Sequence, residues 1–290
     1  EIVSRDWSSD VCSSDLCLIA KCQLNLKVRL ALLLYGGHMK LYCADCMDIL
    51  KGIPEGSIDM ILCDLPYGTT RNKWDVIIPL EPLWAQYRRI IKSNGVIALH
   101  SDMPFTAALV SAGKNLYRYE LIWVKENGSD FLNANRKPMK AHESIQIFYK
   151  HQPTYNKQYV DGKPYKNRGG QRRKASQNWG KFRDGILTDC SDGKRNPTTI
   201  LKFPREKGLH PTQKPVKLEE WLIKTYTNPG ETVLDNCMGS GTTGVACINT
   251  NRDFIGIEKN PDYYKTAISR IKEAQDNGKQ GDRKKQPDHD

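Results

Sequence analysis

The run Val233-Leu-Asp-Asn-Cys-Met-Gly-Ser-Gly-Thr-Thr243 admits few folds. A short apolar strand ends in an acid, two glycines come next, and the chain continues through Val245-Ala246-Cys247 as a helix. Glycines at 239 and 241 let the backbone pass close to a ligand, and the first turn of the helix offers free N–H groups. Glu258 closes the next strand roughly 20 residues on, where a ribose diol is gripped in adenosine-type sites. No Gly-Lys-Ser/Thr succeeds the glycines, so the turn is not a phosphate-binding P-loop. A purely structural turn is the alternative at this point.

The rest of the chain alternates in the same way. Ile58–Leu62 reads as a buried strand, Leu80–Lys92 as a helix stopped by Asn94-Gly95, and Val96–His100 as a strand. Tyr119–Val124 and Ile145–Tyr149 are two more strands, the first mixed enough in polarity to lie on the outside. After His210-Pro-Thr-Gln-Lys-Pro215 a helix places Leu218, Trp221, Leu222 and Thr225 on one face, ended by Asn228-Pro-Gly230. The strand Phe254–Ile257 precedes a last helix, which opens at Asn260-Pro261 and packs Tyr264, Ala267, Ile268 and Ile271. The expected fold is therefore α/β, a Rossmann-like doubly wound sheet. Its halves are residues 39–149 and 209–274, around an inserted basic region at 150–208, with a frayed tail at 275–290.

Charge is concentrated in that insert. The chain carries a formal +11, and Lys150–Lys207 holds fifteen Lys and Arg against five Asp and Glu. Such a stripe fits a polyanionic partner, with Arg168, Arg172, Arg173, Lys174 and Lys181 as phosphate contacts. Nine cysteines give no disulfide framework, and Cys43-Ala-Asp-Cys46 lacks the second ligand pair that a structural metal needs. The expectation is no metal, no membrane span and a reducing cytoplasm.

Residues 1–38 differ in character from the remainder of the chain. Asp6–Asp15 is an imperfect five-residue repeat without helix or strand period, and Leu16–Gly37 is apolar but broken by Lys21, Lys27 and Arg29. Ser4–Leu16 resembles translated adapter sequence. Residues 1–38 are expected to be an unstructured, non-native leader, with the native start at Met39; a genuine disordered leader is the alternative.

Asp64-Leu-Pro-Tyr67 resembles the Asp-Pro-Pro-Tyr motif of amino-group DNA methyltransferases, with Leu65 replacing the first proline. Asp235–Thr243 resembles their S-adenosylmethionine loop, and His210–Pro215 the element before that loop in the β-type arrangement. The order catalytic motif, recognition region, cofactor motif is the same. The resemblance implies S-adenosylmethionine held by His210, Thr212, Lys214, Asp235, Gly239, Ser240, Gly241, Thr242 and Glu258. It also implies that the Asp64 carboxylate and the carbonyl of Leu65 accept the two N–H bonds of an exocyclic amine. Pro66 keeps residue 65 extended and Tyr67 stacks on a flipped base. Asn72-Lys-Trp-Asp75 reads as a loop over that base, in which Trp74 either stacks on it or packs inside. His210, beside Pro211, shapes the cofactor pocket rather than acting as a base. Cys63 lacks the Pro-Cys pair of carbon-5 enzymes.

Asp at the first motif position implies adenine N6 in duplex DNA, with cytosine N4 or an RNA substrate as alternatives. A cognate restriction endonuclease, or none, and a homodimer are left open. A glutamine-directed protein methyltransferase would place its cofactor loop first and carry Asn at position 64.

Overall fold

The computed structural model describes residues 31–34, 37–69, 72, 75–164, 192–206 and 213–283. Within them run β1 (Ala31–Leu34), β2 (Met39–Cys43), α1 (Cys46–Leu50), β3 (Ile58–Asp64), α2 (Leu80–Ile90), β4 (Ile91–Ser101) and α3 (Phe105–Ala112). Next come β5 (Tyr117–Ser129), β6 (Lys140–Phe148), β7 (Val160–Asp161), β8 (Lys194–Arg195) and β9 (Ile200–Lys202). The chain closes with α4 (Val216–Tyr226), β10 (Thr232–Asp235), α5 (Thr242–Thr250), β11 (Asp253–Glu258) and α6 (Pro261–Arg283).

Nine strands form one sheet in the order β1-β2-β11-β10-β3-β4-β6-β5-β9. Its centre, from β2 to β4, is parallel, while β6 runs antiparallel to both β4 and β5. β3 shows why the centre is buried on both sides. Met60 and Leu62 point into a core shared with Leu218 and Leu222 of α4, Cys247 of α5 and Ile271 of α6. Ile61 and Cys63 point into the opposite core, with Ile49 of α1, Trp84 and Tyr87 of α2 and Leu109 of α3. Helices thus cover both faces, as a doubly wound sheet requires.

Local chemistry agrees with this packing. In α2 the buried Leu83, Trp84, Tyr87 and Ile90 form one stripe, and Arg88 and Arg89 sit in the last turn, where the helix dipole favours cations. Arg89 also donates to the carbonyls of Leu50 and Ile53 at 2.7 Å each, tying α2 to the loop after α1. Asp59 Oδ2 accepts from the Thr232 N–H at 3.0 Å, which pins β10 beside β3 across the whole insert.

Three expectations need correction. Ala31–Leu34, assigned to an unstructured leader, pair antiparallel with β2, whose edge is free for an apolar run to join. The strand expected on the outside, β5, is covered by the short β9 that returns from the basic insert. The tail after Gln275, expected to fray, continues as helix to Arg283, although Asn277, Gly278 and Gly281 are weak helix formers. α3 went unread in the sequence because Phe-Thr-Ala-Ala-Leu-Val-Ser-Ala is short and weakly periodic.

Candidate active site

Strand order decides where the site lies. From β3 the chain crosses through α2 to β4, and from β10 it crosses through α5 to β11 on the other side. The order reverses between β3 and β10, and open α/β sheets bind ligands outside the carboxyl ends of the strands at such a point. Asp64 ends β3 and Asp235 ends β10. Both line one cavity of about 690 Å³, within the ordinary range for a small-molecule site.

On the β3 side, Asp64 is held by two donors. The Tyr67 hydroxyl donates to Oδ1 at 2.5 Å and the Lys214 ammonium to Oδ2 at 2.6 Å. Lys214 also lies 3.2 Å from Glu143 Oε2 of β6, and Glu143 Oε1 accepts from Lys125 of β5. Burial pushes Glu143 upward, but the two lysines outweigh it and hold its carboxyl down at about 2. Burial likewise works against the Lys214 charge, yet Asp64 and Glu143 raise it well above the usual lysine value. Leu65 packs its side chain into the core, which anchors the backbone of the motif. The Tyr67 ring stacks on Phe105 at 5.3 Å, so one of its faces is already covered by the chain. Asp75 accepts from the N–H groups of Gly68 at 2.8 Å and Thr69 at 3.0 Å, closing the loop behind the motif.

On the β10 side, Asp235 accepts from the Thr243 hydroxyl at 2.6 Å and the Cys237 N–H at 3.0 Å. Glu258 accepts from the Gly239 N–H at 2.9 Å and the Asn260 N–H at 2.7 Å, joining the glycine turn to the end of β11. Burial raises the Glu258 carboxyl, against those N–H donors. Arg270 of α6 donates to the Ser240 carbonyl and hydroxyl, both at 2.8 Å. A Cβ built at Gly239 would meet nothing within 4 Å, so the turn presents bare backbone to the cavity.

Burial raises Asp235 from 3.8 to about 7, although Thr243 and Cys237 stabilise its ionised form. A raised carboxyl binds its proton more tightly folded than unfolded. Its stabilising contribution is therefore complete below pH 3.8 and lost as the pH rises through about 7. The shift corresponds to about 4 kcal/mol as an order of magnitude. Melting midpoints of Asp235→Asn are expected to decline less steeply than wild type between these limits. Parallel curves would place the titration elsewhere.

A further pair lines the same cavity. His100 of β4, in register with Asp64, has Nε2 3.0 Å from Glu219 Oε1 of α4, and both side chains are almost fully buried. Burial opposes the imidazolium, but the Glu219 carboxylate prevails and raises the His100 value.

Several sequence expectations fall outside the described residues: Trp74, Arg168, Arg172, Arg173, Lys174, Lys181, His210 and Thr212. Gly239, Ser240, Thr242 and Glu258 line the cavity with Asp235, and Gly241 caps α5 behind it. Lys214, expected on the cofactor, lines the cavity with its ammonium on the Asp64 carboxylate. His100, Phe105, Glu143 and Glu219 went unread, because each belongs to a separate element and no spacing links them.

The donor set fits S-adenosylmethionine. Asp64, Glu143, Glu219, Asp235 and Glu258 outnumber Lys214, His100 and Lys259 along the cavity, which suits a ligand bearing sulfonium and ammonium charges. Bare turn backbone and the Glu258 carboxylate suit its nucleoside. A strand-end carboxylate and a glycine turn of the adenosine-binding kind open on one cavity, an arrangement that suits group transfer.

The chain belongs to the N6-adenine/N4-cytosine DNA methyltransferase family, matching the DNA methylase family over residues 58–269. It is 28% identical over 252 residues to type II methyltransferase M.HpaI of Haemophilus parainfluenzae, covering 80% of this chain and 74% of that one. It is 30% identical over 259 residues to type II methyltransferase M.BglII of Bacillus subtilis, covering 77% and 66%. Among solved structures it resembles the M1.HpyAVI–S-adenosylmethionine complex, at 26% identity and TM-score 0.54, covering 80% and 99%. The PvuII cytosine-N4-specific DNA methyltransferase shares the fold at 15% identity and TM-score 0.57, covering 82% and 90%. The cofactor is S-adenosylmethionine and the substrate DNA, as the family assignment entails. Among the described residues no helix is long and apolar enough to cross a membrane.

Proposed function

We propose that the chain is a site-specific adenine methyltransferase, acting on the exocyclic N6 of a base extruded from duplex DNA in the cytoplasm. One observation carries the reading: the Asp64 carboxylate and the glycine turn after Asp235 open on the same cavity at the switch point of the sheet.

The cofactor supplies an electrophilic methyl on a sulfonium. An adenine amine is a poor nucleophile because its lone pair is conjugated with the ring. Asp64 accepts one of its N–H bonds and the Leu65 carbonyl the other, so the nitrogen pyramidalises and its lone pair is freed. Pro66 keeps residue 65 extended and so aims that carbonyl. Tyr67, backed by Phe105, gives an aromatic wall for the extruded base. Asp235 and Glu258 hold the cofactor's two ends, and the basic segment 150–208 grips phosphates while its Asn, Gln and Arg residues read base edges. The recognition site is short, in keeping with the small insert.

Adenine is preferred over cytosine because the motif begins with Asp, whereas many cytosine-N4 enzymes resembling this chain carry Ser there. Unmethylated DNA incubated with the protein and S-adenosylmethionine, then hydrolysed for mass spectrometry, is expected to yield N6-methyladenine. N4-methylcytosine as the sole product would transfer the assignment to cytosine.

A further inference from the structure

Both oxygens of the acceptor carboxylate are engaged within the chain, by Tyr67 on Oδ1 and Lys214 on Oδ2. A carboxylate has lone pairs to spare for a third donor. However, an ammonium at 2.6 Å withdraws the electron density that an incoming amine must share. Lys214 is also the donor with a second place to go. Glu143 Oε2 is only 3.2 Å from its Nζ, and that atom has no other hydrogen-bond partner among the described residues. The three groups come from separate elements: Asp64 from β3, Glu143 from β6, and Lys214 from the segment entering α4. Lys214 is 8% exposed, so water offers its charge little alternative solvation.

We propose that Glu143 is a positioning residue for methyl transfer, drawing the Lys214 ammonium off Asp64 as the target amine docks. Lys125, on the other oxygen of Glu143, moderates that pull so that neither carboxylate holds Lys214 outright. The buried charge stays paired throughout, and no proton changes hands. The proposal rests on Asp64 accepting the amine, and it makes Glu143 necessary to the rate without placing it on substrate or cofactor.

Two measurements test it, the first independent of turnover. Side-chain ammonium NMR of Lys214 is recorded in the wild type, Asp64→Asn, Glu143→Gln and the double variant. A protected, slowly exchanging signal is expected in the first three and its loss in the double variant. A solvent-like Lys214 in Asp64→Asn would overturn the two-site arrangement even if the protein methylated nothing.

The second is single-turnover transfer of labelled methyl to unmethylated genomic DNA. Glu143→Gln is expected to slow transfer about tenfold to a hundredfold, with cofactor affinity within about twofold of wild type and partial recovery in Glu143→Asp. In a Lys214→Met background the same substitution is expected to have no further effect, since residues acting through one another are not additive. A wild-type rate in Glu143→Gln, or an equal penalty in both backgrounds, would overturn the proposal. Absence of methyl transfer by the wild type would instead count against the function assigned to Asp64.

Discussion

Asp64→Ala is expected to lose methyl transfer by about a thousandfold or more, while affinity for duplex DNA stays within about twofold. On the proposed reading this carboxylate accepts the target amine, and preorganised acceptors of this kind account for large parts of enzymatic rate. The fold should survive. Asp64 lies at the last position of β3 with its side chain 29% exposed, and its main partner Lys214 retains Glu143. Removing one side of a buried ion pair costs several kcal/mol when the other is stranded, which is not the case here. On the proposed reading the basic insert sets DNA affinity, which should keep its salt dependence. Label incorporation and a gel shift at fixed salt read the two quantities separately. A variant with undiminished transfer would show that the acceptor lies elsewhere, and equal loss of both quantities would mean a damaged fold.

Gly241→Ala is expected to damage both stability and the cofactor half. Gly241 caps α5 at φ +80°, a left-handed conformation that costs a non-glycine residue about 1–2 kcal/mol. A Cβ there would also come 2.9 Å from the Ala267 Cβ and 3.0 Å from its Cα, on the backbone of α6. Overpacking of this kind adds about 1–3 kcal/mol. The combined loss of about 2–5 kcal/mol should appear as a lower melting temperature. Cofactor affinity should fall by about tenfold or more, because α5 and α6 can part only by shifting the turn. Gly239→Ala is the control: its φ is +51° but its Cβ would meet only open space, so it should lose about 1 kcal/mol of stability. If both variants melted alike, the contact between α5 and α6 would be looser than these distances imply.

The contrast between these glycines shows how far a sequence can be read. Both were legible as a turn beside a ligand, because strand, acid, glycine and helix succeed one another within a few residues. That one faces the cavity and the other Ala267 depends on α6, which arrives much later in the chain. The leader makes the same point: the lack of period over Asp6–Asp15 was plain, but the edge of β2 on which Ala31–Leu34 pair is a property of the assembled sheet.

Determined by sequence alone were the two strand-end acids, the order of the motifs, the doubly wound alternation and the concentration of charge in the insert. Each is a local pattern or a composition, set by propensities and side-chain periodicity over short windows. Tertiary structure alone decided that Asp64 and Asp235 open on one cavity, that Lys214 rests between two carboxylates, and that His100 is buried against Glu219. The buried pairs at this site form because another element brings the counter-charge within a few ångströms, and that meeting is fixed by strand order and helix crossing. No spacing along the chain encodes it.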